Sequence, residues 1–232
     1  MSMLPVAILA GGLATRLRPI TETIPKALVQ ISGEPFLAHQ LRLLRRRGIE
    51  RVVMCVGYLG EQIRNYAGSG QEFGIEIAYS FDGPRLLGTA GAIARAVPLL
   101  GDRFFVLYGD SYLPCEYEAV EQAFLQSGKP GLMTVFPNEG QWDASNVEFR
   151  DGQILAYDKS HRTAAMRHID YGLGAFRSEA FSELPPGVPS DLAMLYQDLL
   201  RRGLLAACEI STRFYEIGSP EGIRELSEYL ES

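Results

Sequence analysis

Two glycines, Gly11 and Gly12, stand directly after the apolar run Val6-Ala7-Ile8-Leu9-Ala10, and Thr15, Arg16 and Arg18 follow at once. Glycine has no Cβ, so successive backbone N–H groups can approach a phosphate, and the arginines add charge to hold it. The spacing is neither Gly-x-Gly-x-x-Gly nor a Walker loop: Gly128-Lys129 runs into Pro130, and Ala123 stands where that loop requires its first Gly. By itself, a glycine pair between strand and helix is an ordinary turn. Lys26 follows Pro25, whose ring restrains the backbone, and a lysine ammonium is a compact charge for phosphate. Asp110 follows Gly109 at the end of the apolar run Phe104 to Tyr108. No nucleophile–base pair is apparent. His39, His161 and His168 share no metal-ligand spacing, and they read as one helix-flank residue and two surface-loop residues.

These groups need elements to position them. The all-apolar run Val6 to Ala10 suits a strand buried on both faces. A helix is predicted from Pro35 to Gly48, with Pro at its first turn, Gly past its last, and Leu37, Leu41 and Leu44 on one face. Further strands are predicted at Arg51 to Val56, Ile75 to Tyr79 and Phe104 to Tyr108. Between them fall helices at Leu59 to Tyr66 and Thr89 to Ala96, the second capped by Thr89 and stopped by Pro98. This alternation predicts an α/β, doubly wound sheet with helices on both faces, which binds ligands beyond the carboxyl ends of its strands. After Gly131 to Phe136 the order changes. Asn146 to Arg150 and Gln153 to Tyr157 flank Asp151-Gly152, a strong hairpin signal, so an antiparallel insertion is expected. Ser190 to Arg202 and a final stretch capped by Ser219-Pro220 read as helices.

Composition narrows the partners. With 232 residues, 47% of them hydrophobic, the chain can bury a substantial core. A net charge of −6 offers no global attraction to nucleic acid or an anionic membrane surface. The one basic run, Arg45-Arg46-Arg47, closes a predicted helix, where cations complement the C-terminal dipole. Cys55, Cys115 and Cys208 are odd in number and lie in or beside apolar runs, as buried thiols of a reducing compartment do. No signal segment and no run long enough to span a bilayer is seen, so a soluble cytoplasmic protein is expected.

Taken together, Gly-Gly-x-x-Thr-Arg-x-x-Pro from Gly11 to Pro19, followed by Pro25-Lys26-Ala27-Leu28, resembles the nucleotidyltransferase family of sugar-nucleotide pyrophosphorylases. Leu87-Gly88-Thr89-Ala90-Gly91-Ala92 is similar to that family's L-G-T-A-G-A segment, and Gly109-Asp110 to its metal-binding G-D. Phe214-Tyr215-Glu216-Ile217-Gly218-Ser219-Pro220 resembles its W-x-D-I-G-T-P, and the resemblance covers nearly the whole chain. Two departures stand out: Ala14 where a Gly is usual, and Glu216 where an Asp is usual.

The resemblance implies a Rossmann-like, GT-A-like mixed sheet forming one nucleotidyltransferase domain over residues 1–232, with the antiparallel insertion covering the sugar. It implies transfer of a nucleoside monophosphate from an NTP to a sugar 1-phosphate, with Mg²⁺ on Asp110 and Glu216. Leu9, Ala10, Gly11, Gly12, Thr15, Arg16, Gly88 and Thr89 would bind the nucleotide, and Arg16, Lys26 and Asp110 would be catalytic. Asn146, Asp158, Lys159, Tyr171 and Gly172 would hold the sugar phosphate. The compact length resembles heptose-1-phosphate guanylyltransferases and N-acetylmuramate-1-phosphate uridylyltransferases, which leaves the base and the sugar open. A choline-phosphate cytidylyltransferase is an alternative that Thr21 to Ile31 also resembles, and a non-catalytic nucleotide-sugar sensor is another, motivated by Ala14 and Glu216. The expected partners are small molecules, with no nucleic acid and no membrane. A homo-oligomer is left open.

Overall fold

The computed structural model describes residues 3–12, 17 and 19–232. In chain order the elements are β1 (Val6–Leu9), β2 (Gln30–Ile31), β3 (Glu34–Pro35), α1 (Phe36–Arg46), β4 (Arg51–Val56), α2 (Gly60–Ala67), β5 (Glu76–Phe81), α3 (Gly88–Leu100) and β6 (Arg103–Tyr108). They continue with β7 (Ser111–Tyr112), α4 (Tyr117–Ser127), β8 (Gly131–Pro137), β9 (Val147–Arg150), β10 (Gln153–Tyr157) and β11 (His168–Arg177). Last come α5 (Leu192–Arg201), β12 (Leu205–Glu209), β13 (Tyr215–Glu216) and α6 (Pro220–Glu231).

Nine strands form one mixed sheet, in which β10, β9, β11, β6, β1, β4 and β5 lie side by side and β8 joins β11 to β12. The strands β6, β1, β4 and β5 are parallel, so their carboxyl ends share one edge. β1 lies among them because both its faces are apolar: Val6 and Ile8 pack with Leu37, Leu41 and Leu44 of α1, while Ala7 packs with Ala90, Ile93 and Ala96 of α3. Each such leucine, withdrawn completely from water, contributes roughly 1.5–3 kcal/mol. The strand β11 then runs antiparallel to β6 and begins the mixed half of the sheet. Among the described residues no helix is long and apolar enough to cross a membrane.

The Asp151-Gly152 hairpin forms where the local signal put it. Both residues take positive φ, 50° and 78°, the backbone that a two-residue primed turn requires, and Arg150 pairs with Gln153 across it. Other local expectations are corrected. α3 does not stop before Pro98 but runs through it to Leu100. A proline in the last turn forfeits one backbone hydrogen bond, and burial of Leu100 at 2% exposure holds that turn in place. Thr89 is not its cap, since the helix begins one residue earlier at Gly88. Helix α5 starts at Leu192 rather than Ser190, and Asp191 caps it through a 2.8 Å bond from the Ala193 N–H. His168 lies in β11 rather than a loop, with its ring against Glu209 at 3.0 Å. Helix α4 and strand β12 lie outside the predicted elements, although Tyr117, Val120 and Phe124 carry the helical spacing of a buried face.

The thiols divide as burial dictates. Burial pushes the Cys55 and Cys115 thiols up to about 12, whereas Cys208 is half-buried and raised less. The thiolate is the reactive form. A thiol reagent at neutral pH should therefore titrate at most one cysteine in the folded protein and all three in denaturant. Rapid labelling of two or more in the native state would contradict this packing.

Candidate active site

The shared carboxyl edge of β6, β1, β4 and β5 opens into a cleft of about 370 Å³. Three of these strands deliver their next residues to it, Gly109 and Asp110 after β6, Ala10 to Gly12 after β1, and Asp82 after β5, while β4 lines it with Cys55. At Gly109 the close approach of β1 explains the glycine, because a Cβ there would lie 2.7 Å from the Leu9 carbonyl oxygen. The Gly109 N–H instead donates to that carbonyl at 2.9 Å.

Lys26 reaches the cleft from a single helical turn, Lys26–Leu28, which Pro25 initiates by accepting from the Leu28 N–H at 2.8 Å. Ala27 is buried in the core, so the turn is anchored and the lysine side chain projects from a fixed base. Its Nζ lies 2.6 Å from Asp110 Oδ2. Glu216 comes to the same place by strand pairing: β13 runs antiparallel to β7 with Glu216 opposite Ser111, and the Ile217 N–H donates to the Asp110 carbonyl at 3.0 Å. The Lys26–Asp110 pair and the backbone of Glu216, from three distant stretches of chain, thus come together where the resemblance implied phosphate and metal chemistry.

Leu9, Ala10, Gly11, Gly12, Gly88 and Thr89 all line the cleft. Thr15 and Arg16 lie outside the described residues. Gly88 has a further reason to be glycine: with φ at 71°, an added Cβ would meet the Ser190 carbonyl oxygen at 2.6 Å. Two helix starts cap each other here. The Ser190 carbonyl accepts from the N–H groups of Ala90 and Gly91, while Thr89 Oγ1 accepts from the Leu192 N–H at 2.7 Å and faces Asp191 at 3.3 Å. Thr89 therefore caps α5 rather than its own helix.

The cleft also contains a carboxylate that the sequence reading missed. Asp82 is 6% exposed, and its Oδ2 accepts the Leu87 N–H at 3.1 Å. Burial raises its carboxyl from its ordinary value, and the Leu87 bond pulls the other way. The available signal was position: an acidic residue directly after a buried parallel strand, obscured because that strand was expected to end at Tyr79.

The expected sugar-phosphate residues divide into two groups. Asn146 is a staple: its Oδ1 accepts the Asp170 N–H at 2.9 Å and its carbonyl accepts the Asp158 N–H at 3.0 Å. Lys159 stands beside the cleft, with Nζ 5.4 Å from the centre of the Tyr108 ring and 3.7 Å from Asp170 Oδ2. Gly172 donates to Asp170 Oδ1 at 3.1 Å and faces Tyr108 and Ser111. The hub of this network is Asp170, another carboxylate that the sequence reading passed over, and Tyr157 adds a hydroxyl at 3.2 Å. Burial, then the Asp170 charge, push the Tyr157 phenol upward. Asp158 Oδ1 is engaged by its own turn, accepting from Ser160 and His161 N–H groups that lower its carboxyl. Tyr171 is corrected: its side chain is 1% exposed and packs on Phe136 and Phe214, because residues along β11 alternate between faces. Only its backbone could serve the cleft.

Residues 6–145 match the family model described as nucleotidyl transferase. Over 224 residues the chain is 30% identical to N-acetylmuramate alpha-1-phosphate uridylyltransferase of Neisseria meningitidis serogroup B, with 94% of each chain covered. The chain belongs to the nucleotidyl transferase family. Within it, the UTP–glucose-1-phosphate uridylyltransferase of Synechocystis is 32% identical over 85% of this chain, which spans 55% of that relative's length. The mannose-1-phosphate guanylyltransferase catalytic subunit beta of Danio rerio is 30% identical over 92% of this chain, which spans 61% of its length. Among solved structures of the same fold, HddC from Yersinia pseudotuberculosis, complexed with GMP-PN, superposes with a TM-score of 0.83 at 24% identity, covering 98% of this chain and 100% of that one. The inositol-1-phosphate CTP transferase of T. maritima superposes with a TM-score of 0.80 at 22% identity, covering 100% and 96%.

Proposed function

We propose that this protein is a Mg²⁺-dependent sugar-1-phosphate nucleotidyltransferase, acting as one catalytic unit over residues 1–232 in the cytoplasm. The Lys26–Asp110 pair in the cleft carries the reading, with Glu216 brought next to it by the pairing of β13 with β7. The carboxylates suit Mg²⁺, which takes hard oxygen ligands and is commonly held by one or two carboxylates together with substrate phosphates and water. Among the described residues no group of three or more His, Cys, Asp and Glu side chains could hold a metal by itself.

A bound Mg²⁺ would neutralise the reacting phosphates and act as a Lewis acid. Lys26 orients the α-phosphate and the incoming sugar phosphate, and Arg16 meets the departing pyrophosphate. One oxygen of the sugar phosphate forms a bond to the α-phosphorus, the α–β bridging bond breaks, and its electron pair leaves with pyrophosphate. A phosphate monoester with a second pKa of about 6 is already largely ionised at neutral pH, so no general base is required. Lys159, Asn146, Asp158 and the backbone of Tyr171 and Gly172 border the acceptor side.

The preferred donor in this reading is GTP. Asp82 and Asp110 follow strands three positions apart in the sheet, roughly 14 Å at the usual strand spacing, a span suited to a base at one end and its phosphates at the other. An ionised Asp82 offers only acceptors, and guanine presents adjacent N1–H and N2–H donors. The Asp82→Asn variant should lose about 10- to 100-fold in kcat/KM for GTP while changing little with other triphosphates. Preference of the native protein for UTP or dTTP, or an equal fall with every triphosphate, would overturn this assignment. The parent reaction is tested by pyrophosphate release from five triphosphates against heptose, hexose and amino-sugar 1-phosphates, with phosphocholine included. Turnover only with phosphocholine would replace the acceptor, and tight nucleotide-sugar binding without any turnover would favour a sensor.

A further inference from the structure

The inner face of α1 is apolar at Phe36, Leu37, Ala38, Leu41 and Leu44, yet it carries one buried glutamine, Gln40, at 1% exposure. Its Nε2 donates to the Ser111 carbonyl at 2.8 Å and to the Tyr108 carbonyl at 3.1 Å. The reversed amide would set its oxygen against two carbonyl oxygens, so the hydrogen-bond partners fix its orientation. Its Oε1 is buried with no protein partner among the described residues. An orphaned buried acceptor costs stability, and a leucine or methionine at this place would avoid that cost. A residue retained for packing alone would be apolar.

The two carbonyls that it holds flank Gly109 and Asp110 on either side. Two further backbone bonds of this turn go to other elements, the Gly109 N–H to Leu9 of β1 and the Asp110 carbonyl to the Ile217 N–H just after β13. Gln40 therefore supplies a further anchor, from α1, to a turn held also by β1 and by the segment after β13. Deleting it leaves the strands paired but frees the Tyr108 and Ser111 carbonyls to move, and the Asp110 carboxylate moves with them.

We infer that Gln40 is a positioning residue, whose amide clamps the Tyr108 to Ser111 turn so that Asp110 is held in its working orientation against Lys26 and the cleft. The inference rests on the proposed role of Asp110. It predicts that a change one layer behind the cleft, at a side chain touching no substrate, acts on the metal carboxylate.

Gln40→Met keeps the length and removes the donors. Its effect should be a fall of roughly tenfold in kcat, since small misplacements of a reacting group are costly, with KM for the triphosphate within about twofold. Mn²⁺ affinity, titrated in the presence of a non-hydrolysable triphosphate, should weaken by a similar factor, while Tm stays level or rises. Leu41→Ala, a neighbouring lesion in the same helix, is the control: it should lower Tm and leave kcat and Mn²⁺ affinity unchanged. A Gln40→Met protein with native Mn²⁺ affinity and native kcat, or one that mirrors Leu41→Ala, overturns the inference. If the native protein shows no turnover, the reaction reading falls, and the Mn²⁺ titration still decides the role of Gln40.

Discussion

Asp110→Ala should reduce pyrophosphate release by about a thousandfold across the Mg²⁺ range, the order of loss seen when one preorganised electrostatic group is removed from a reaction centre. The carboxylate stands at the end of β6 with its backbone held by β1, α1 and the segment after β13, so its truncation removes a fixed charge rather than a mobile one. Nucleotide binding should survive, because the proposed base end of the cleft at Asp82 and the Gly11-Gly12 turn are untouched. Raising Mg²⁺ should recover little of the loss, since Glu216 alone would remain to meet the ion. Undiminished turnover in this variant would remove Asp110 from the mechanism and with it the central observation behind the proposed reaction.

Lys26→Met should have two opposite effects. Turnover should fall by about a hundredfold or more, because the α-phosphate and attacking phosphate lose the charge that aligns them. The free protein, without nucleotide, should meanwhile bind Mn²⁺ about fivefold more tightly. In the native protein Lys26 Nζ sits 2.6 Å from Asp110 Oδ2, so a cation must displace an existing partner. The pair retains 15% and 28% side-chain exposure, which keeps its strength near the roughly 1 kcal/mol of ion pairs at a protein surface. In the proposed mechanism nucleotide phosphates would relieve this competition by drawing Lys26 to themselves, so in the native protein Mn²⁺ and triphosphate should bind with mutual reinforcement. That reinforcement should shrink in Lys26→Met. Equal Mn²⁺ affinity of the two free proteins, measured by titration calorimetry, would show that the ion pair does not compete with the metal.

Much of this site was legible in the residues because much of it is local. The run Val6 to Ala10 suits a strand buried on both faces, Gly11-Gly12 suits a turn, and Asp151-Gly152 is a strong hairpin signal, since each follows from side-chain periodicity or from the φ that glycine permits. The position of Asp110 at a strand end was legible for the same reason, and so was the alternation that places such ends along one edge of a parallel sheet.

What the residues could not disclose is which distant group meets which. Glu216 reaches Asp110 through a two-residue strand pair, too short to leave any periodic signal. The direction of Tyr171, into the core rather than the cleft, depends on which face of β11 the other layers cover. Thr89 has the side chain of a helix cap, but only the arrival of Ser190 and Asp191 decides that it caps α5. Asp82 and Gln40 look like surface polar residues until β5 ends at the cleft and α1 lies against the Asp110 turn. Backbone conformation is governed by neighbours in the chain, which the sequence by itself determined. The partners of a buried polar side chain are governed by packing between elements far apart in the chain, and those only the tertiary structure decided.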